Sequence, residues 1–156
     1  MTGEWTDGRQ STLHRYQTCV TIAGMHVHRH RVRYHETDAQ GFLFNARYLE
    51  IADVAMTEFL RALGHPYQDL AAKGFDPSLV KAELGFTRPT RFDDVIEIDV
   101  ACTHVGNSSF TLVFTMARDG ETVCTVNVVY VNVDAAAETS TPLPDEIATV
   151  LRAQSD

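Results

Sequence analysis

Residues 34–64 read YHETDAQGFLFNARYLEIADVAMTEFLRALG. An extended segment runs into a polar loop, and the loop feeds a long helical pattern. From Ala46 onward, Tyr48, Ile51, Ala52, Ala55, Met56, Phe59, Ala62 and Leu63 recur at spacings of three and four, which defines an apolar stripe. Arg47, Glu50, Asp53, Thr57 and Arg61 fall mostly on the opposite face. Asn45 stands where a side-chain N-cap is favoured, Gly64 where a left-handed C-terminal cap is expected, and Pro66 blocks continuation. The pattern predicts one helix of about five turns. Its start lies seven residues after the loop carboxylate Asp38.

This juxtaposition offers chemistry. A helix N-terminus presents free N–H groups and a partial positive charge, so it can hold an oxyanion that forms only in a transition state. A nearby carboxylate can attack an activated acyl carbon or act as general base on water. Together the two suffice for attack on a thioester. An Asp before a helix is more often a turn or capping residue, so spacing alone leaves both roles open.

The motif itself narrows the choice. Y-x-E-T-D-A-x-G-x-x-F-N-x-x-Y-L, from Tyr34 to Leu49, resembles the hotdog-fold acyl-CoA thioesterases of the 4-hydroxybenzoyl-CoA thioesterase type. The likeness extends from about Met25 to Pro144. It implies an α+β fold in which an antiparallel sheet wraps one long central helix. It implies that Asp38 is the catalytic carboxylate, that Gly41 and Tyr48 are the matching loop Gly and helix-start Tyr, and that the backbone N–H of Asn45 polarises the thioester carbonyl. Many members carry His or Tyr at that last position, so Asn is a departure, although an amide donor does not depend on its side chain. The resemblance further implies a homodimer or homotetramer with active sites at the subunit contact.

Upstream, residues 1–23 read as a polar arm in which Trp5 and Tyr16 are the large aromatics, and residues 24–156 as a single domain. Met25–Tyr34 reads as the first strand, with His26, His28 and His30 on one face alongside Val32 and Tyr34. Alternate residues on a strand stand about 7 Å apart, too far for an ideal tetrahedral metal site, so a solvated strand or subunit contact is the preferred reading. His35 and Glu36 either tune Asp38 or face solvent.

Downstream, residues 65–77 form a connection with a short helical turn at 68–73, and Tyr67, Leu70 and Phe75 either line an acyl pocket or pack inside. Four strands follow. Leu79–Thr87 carries Gly85, which suggests a bulge or close approach. In Val95–Val105, Ile96, Ile98, Val100 and Cys102 alternate with polar residues. Phe110, Leu112, Phe114 and Met116 mark the core face of the next strand, and Asp119-Gly120 the hairpin turn. Thr122–Val133 is apolar on both faces, which suggests cover on both, one side by the helix and the other by a second subunit. A polar link and a terminal helix at Pro142–Arg152 close the chain.

Within RPTRFDDV, residues 88–95, Asp93-Asp94 replaces the Gly-Asp pair usual in the resembled family. Arg88 and Arg91 are the candidate cations for coenzyme A phosphates, with Lys81 and Arg47 weaker and surface salt bridges the competing role. Ser108 and Ser109 are uncertain contributors. Coenzyme A enters only as part of the substrate, and no metal or redox cofactor is expected.

Composition bounds the rest. The length suits one domain. A net charge of −8 disfavours nucleic acid as partner. No apolar run approaches membrane-spanning length, and the N-terminus lacks a signal-type segment, so a cytoplasmic location is expected. Cys19, Cys102 and Cys124 fit neither a disulfide framework nor a zinc motif and read as small core residues. The leading expectation is therefore hydrolysis of an acyl-CoA. Two rivals stand beside it: hydrolysis of acyl groups on an acyl carrier protein, and a domain that binds acyl-CoA without turnover. Asp38 argues against the enediyne-pathway branch, where Asn is common at that position. A dehydratase reading is weaker still, because the helix holds no His before His65.

Overall fold

The computed structural model describes residues 24–155. The arm expected over residues 1–23, with Cys19, lies outside the described residues. The elements are β1 (Met25–Arg31), α1 (Asn45–Ala62), α2 (Tyr67–Ala71), β2 (Pro77–Phe86), β3 (Val95–Val105), β4 (Ser109–Arg118), β5 (Glu121–Asp134), β6 (Thr139–Ser140) and α3 (Asp145–Arg152). The strands form an antiparallel sheet in the order β1-β3-β4-β5-β2, with β6 beside the end of β5. This is the α+β hotdog arrangement, with α1 packed on one sheet face.

The core follows from the two periodicities. Ile96, Ile98, Val100 and Cys102 of β3, Phe110, Leu112, Phe114 and Met116 of β4, and Val126, Val128 and Tyr130 of β5 are all buried on the inner face. They meet Tyr48, Ile51, Ala52, Ala55, Met56 and Phe59 of α1 in one cluster. Leu60 joins them, whereas Ala62 of the expected stripe is exposed and Leu63 only half-buried. Phe75, Phe110 and Tyr130 stack in sequence, with centroid separations of 5.9 and 5.1 Å. The thiols of Cys102 and Cys124 are free and buried, as small core residues; burial pushes them up to about 11 and about 12.

Helix α1 ends as its sequence dictates. Gly64 takes φ +83°, His65 N–H donates to the Leu60 carbonyl, and Gly64 N–H to that of Arg61, a Schellman closure. At its start Phe44, not Asn45, is the cap residue, and Asn45 is the first helical residue with no side-chain cap bond. The β4–β5 turn places Asp119 and Gly120 at φ 52° and 78°, as the sequence pair predicts.

Three expectations about strands need correction. Strand β1 stops at Arg31, because the facing segment turns at Asp93, at φ 70°, and Tyr34–Glu36 then forms a 3-10 turn. A bulge at Val27 then changes the phase of that strand: His26 pairs with outward Asp99, while His28 and His30 pair with buried Ile98 and Ile96. The three histidines therefore do not share a face. The bulge in β2 falls at Val80, between Leu79 and Lys81, and Gly85 pairs regularly with Thr125. Strand β5 is buried along its inner face, and in the single chain Val129, Val131 and Val133 on the other face are half-buried.

Two loops are tied by side-chain polar groups. The Asn132 side chain, fully buried, accepts from Asp76 N–H at 2.7 Å and donates to the Gly74 and Pro142 carbonyls and to Thr141 Oγ1. Asp93 occupies φ 70°, so it fulfils the left-handed role of the Gly it replaces, which Asp tolerates better than most residues. Asp94 accepts from Arg91 N–H and from Arg118 at 2.6 Å, which anchors the segment before β3. Among the described residues no helix is long and apolar enough to cross a membrane.

Candidate active site

The loop from Thr37 to Phe44 is held by its own backbone. Asp38 N–H donates to the Phe42 carbonyl at 2.8 Å, and Gly41, at φ 77°, returns its N–H to the Asp38 carbonyl. A non-Gly residue at position 41 would meet no clash but would be strained by that angle. The Asp38 side chain takes part in the turn: Oδ1 accepts from Gln40 N–H at 2.8 Å and Phe42 N–H at 3.2 Å. The turn role and the chemical role are thus compatible. One carboxylate oxygen is fixed by two amides, and Oδ2 has no protein partner among the described residues.

The loop is then aligned with the helix. Glu36 carbonyl accepts Phe44 N–H at 2.9 Å, and Leu43 N–H bonds the Thr90 carbonyl at 2.7 Å. The Glu36 side chain turns away from Asp38, accepting from Arg33 N–H at 2.7 Å and meeting His30 Nε2 at 2.9 Å. Burial would raise the Glu36 carboxyl, but the Arg33 amide and His30 outweigh it and hold it below its usual range. Glu36 therefore supports the loop rather than the carboxylate beside it, and His35 is exposed.

Asp38, Phe42, Phe44, Asn45, Tyr48, Phe86 and Arg88 line a cleft of about 380 Å³ between this loop, the start of α1 and the end of β2. The N–H groups of Asn45 and Ala46 have no protein acceptor among the described residues, while Arg47 N–H bonds the Phe44 carbonyl. Asn45 lines the cleft together with Asp38, so one of these unspent donors belongs to the wall that carries the carboxylate. Tyr48 is buried, packs edge-on against Phe86 at 5.2 Å and donates its hydroxyl to Thr90 Oγ1 at 3.0 Å. Burial raises the Tyr48 hydroxyl, with the Thr90 bond opposing. The phenol stands neutral at the cleft wall, with its hydroxyl bonded to Thr90.

The candidate cations separate. Arg88 lines the cleft and pairs with exposed Glu121 at 2.8 Å. Arg91 lies outside the lining, its guanidinium 4.9 Å from the centre of the Phe42 ring. Arg47 and Lys81 pair with Glu50 and Glu83 on the surface. Ser108 and Ser109 are not among the cleft residues.

A second cavity, of about 460 Å³, was not legible in the sequence. It is lined by Asp53, Val54, Met56, Thr57, Tyr67, Pro77, Leu79 and Tyr130. Of the loop residues considered for an acyl pocket, Tyr67 borders it, whereas Leu70 and Phe75 are core. Asp53, assigned to a solvent face by helical spacing, stands at its wall, and burial raises its carboxyl.

Comparison with known proteins places these features in a family. A family model described as the thioesterase-like superfamily matches residues 32–151. A protein of Aquifex aeolicus named a putative esterase is 29% identical over 126 residues, 81% of this chain and 97% of that one. The 1,4-dihydroxy-2-naphthoyl-CoA hydrolase of Synechococcus elongatus is 25% identical over 127 residues, 80% of this chain and 93% of its own. The solved structure of the BH1999 gentisyl-coenzyme A thioesterase superposes with a TM-score of 0.73 at 26% identity, over 81% of this chain and 99% of that chain. The matched region holds the whole cleft, from Asp38 through α1 to Arg88, and on that ground the chain belongs to the thioesterase-like superfamily.

Proposed function

We propose that this protein hydrolyses acyl-CoA thioesters in the cleft between the Asp38 loop and the start of α1. The observation that carries the reading is the unspent N–H of Asn45, a residue that lines the same cleft as Asp38. The names of relatives, a 1,4-dihydroxy-2-naphthoyl-CoA hydrolase and a gentisyl-coenzyme A thioesterase, support the choice of CoA esters.

In this mechanism the thioester carbonyl oxygen accepts from Asn45 N–H. Attack at the carbonyl carbon moves its π electrons onto that oxygen, where the amide and the helix terminus stabilise the charge. Asp38 serves in one of two ways. As a general base it takes a proton from water while the water oxygen bonds the carbon. As nucleophile it forms an anhydride that water then cleaves. Either way the C–S bond breaks and the thiolate of coenzyme A leaves. The Gln40 and Phe42 amides fix the carboxylate, and Gly41 permits the turn that presents them. Arg88, which lines the cleft, would hold a CoA phosphate in exchange for its Glu121 partner.

The same reading takes the protein as a homodimer or homotetramer. Strand β2 ends the sheet with Leu79, Val80 and Phe86 exposed, an apolar edge suited to a second copy. The test is thiol release from short, long and aromatic acyl-CoAs, with Asp38→Asn alongside. Turnover that collapses in the variant supports the mechanism. Turnover retained in the variant removes Asp38 from it. Turnover only of the same acyl groups on an acyl carrier protein moves the substrate to the carrier.

A further inference from the structure

The turn that leads into the Asp38 loop has no apolar anchor. Strand β1 is an edge of the described sheet, and the residue after it is pinned to the segment before β3: Val32 N–H donates to the Asp94 carbonyl, and Asp93 N–H to that of Val32. Beyond Val32, the turn Tyr34–Glu36 buries none of its residues, and Tyr34 is 82% exposed. Apolar packing therefore does not fix this turn. Its side-chain anchors are polar. Thr37 Oγ1 donates to the Tyr34 carbonyl at 2.9 Å, and Glu36 Oε2 accepts from Arg33 N–H at 2.7 Å and meets His30 Nε2 at 2.9 Å. Of these partners, His30 is the one carried by the sheet.

The candidate site hangs from Glu36. Its main-chain carbonyl accepts from Phe44 N–H at 2.9 Å, and Phe44 is the cap residue immediately before the Asn45 amide. On the other side, Thr37 pairs with Leu43, and Asp38 N–H bonds the Phe42 carbonyl. The carboxylate and the helix start are thus both referred to Glu36. The side chain at that point is a charge only 11% exposed, and its His30 partner is 21% exposed. A charge so covered is costly unless it is paired. Burial opposes the charged form, but the Arg33 amide and His30 outweigh it, so Glu36 is a carboxylate at neutral pH. A carboxylate accepts only, which makes His30 Nε2 the donor.

We propose that His30 and Glu36 are a positioning pair for the hydrolysis: the imidazole, fixed on β1, holds the Glu36 carboxylate and through it sets the Asp38 loop against the start of α1. This deepens the thioesterase reading and rests on it. Neither residue lines the cleft, so the pair acts through Asp38 and not on the substrate. Loss of the His30 donor frees a turn that packing does not hold. A misplacement of about 1 Å at a reacting group costs about 10² in rate. The loss falls on kcat, because Phe86 and Arg88, which border the cleft from the β2 side, are untouched. A merely structural role would lower the folded fraction and leave the rate per folded enzyme alone.

The measurement is kcat and KM per folded enzyme on the best acyl-CoA of the panel above, with backbone hydrogen exchange followed on the same proteins. The proteins are the wild type, His30→Ala and His30→Gln, the last because Gln places an N–H donor at about the reach of imidazole Nε2. In His30→Ala, kcat should fall about tenfold to a hundredfold with KM held within about twofold. In His30→Gln, kcat should return to within about threefold of the wild type. Exchange over residues 36–46 should quicken in His30→Ala, recover in His30→Gln, and stay unchanged in β3, β4 and β5. Added to Asp38→Asn, where no carboxylate is left to align, His30→Ala should lower the residual rate by less than about threefold. A rate per folded enzyme that His30→Ala leaves within about threefold, a loss in KM alone, or an equal loss in both His30 variants overturns the proposal. Exchange that quickens equally throughout the sheet assigns the pair to global stability, which also overturns it. Absence of wild-type turnover defeats the thioesterase reading, whereas loop exchange that His30→Ala leaves unchanged defeats the pair.

Discussion

Replacing Asn45 by Pro deletes one atom group of the proposed oxyanion site and little else. Position 45 is the first helical residue, where Pro is favoured because its fixed φ suits the helix and its absent N–H has no intrahelical acceptor. The Asn45 N–H indeed has no protein acceptor among the described residues, so no ground-state hydrogen bond is lost. Phe44, the residue before it, already sits at φ −62° and ψ 135°, the extended region that a following Pro requires. Folding stability should therefore hold or rise by up to about 1 kcal/mol. The transition state, by contrast, loses a main-chain donor. Removal of one such donor costs roughly 10²–10³ in kcat, about 3–4 kcal/mol. The assay is steady-state thiol release, with thermal unfolding as the folding control and Asn45→Ala as the chemical one. Asn45→Ala keeps the amide and should stay within about threefold of wild type, since the side chain makes no cap bond. Asn45→Pro turning over within about threefold of wild type, folded, would refute a role for this amide.

Three further outcomes follow from the geometry. Asp38→Asn keeps an oxygen for the Gln40 and Phe42 amides, so the loop should stay folded while turnover falls by roughly 10²–10⁴, checked by thiol release beside circular dichroism. Asn132→Ala removes a fully buried hub that joins the residues after α2 to the segment before α3; unfolding in urea should show a loss of about 3–5 kcal/mol. Stability should also erode toward acid in two stages. His28 is held below 6.5, by burial first and then by His30 and His26 against the opposing pull of Glu58, so the unfolded chain gains protons as pH falls through 6.5. Glu36 is held below 4.5, so its contribution is complete above that value and is lost as pH falls through its lower folded value. Urea midpoints from pH 7 to pH 4 check both, and a midpoint that rises on acidification would contradict them.

The parts of the fold that repeat a simple period were readable from residues alone. Strands β3 and β4 and most of β5 follow strict alternation, and Asp119-Gly120 marks a turn that few other pairs can make. Helix α1 declared itself by a stripe at one end and Gly64-Pro66 at the other. What escaped depends on partners distant in sequence. The bulges at Val27 and Val80 are set by ladder registry with β3 and β5, and neither carries the Gly that local reasoning looks for. Strand β1 ends early because the segment facing it turns at Asp93, at φ 70°. At the site, the motif located Asp38, the helix start and Tyr48, but it did not reveal that one oxygen of Asp38 is already engaged. Asp53 and Tyr130 lie 77 positions apart, and neither carries a local signal that they share a cavity.

The two buried thiols have a practical side for any worker following coenzyme A release with a colorimetric thiol reagent. A thiol reacts through its thiolate, and with values near 11 and 12 Cys102 and Cys124 supply almost none at assay pH. Both sulfurs are moreover shut inside the sheet, so reagent must wait for the fold to open. A slow release of colour from these two positions would report unfolding rather than catalysis. The same trace therefore carries an internal clock for enzyme integrity, running beside the signal from the product.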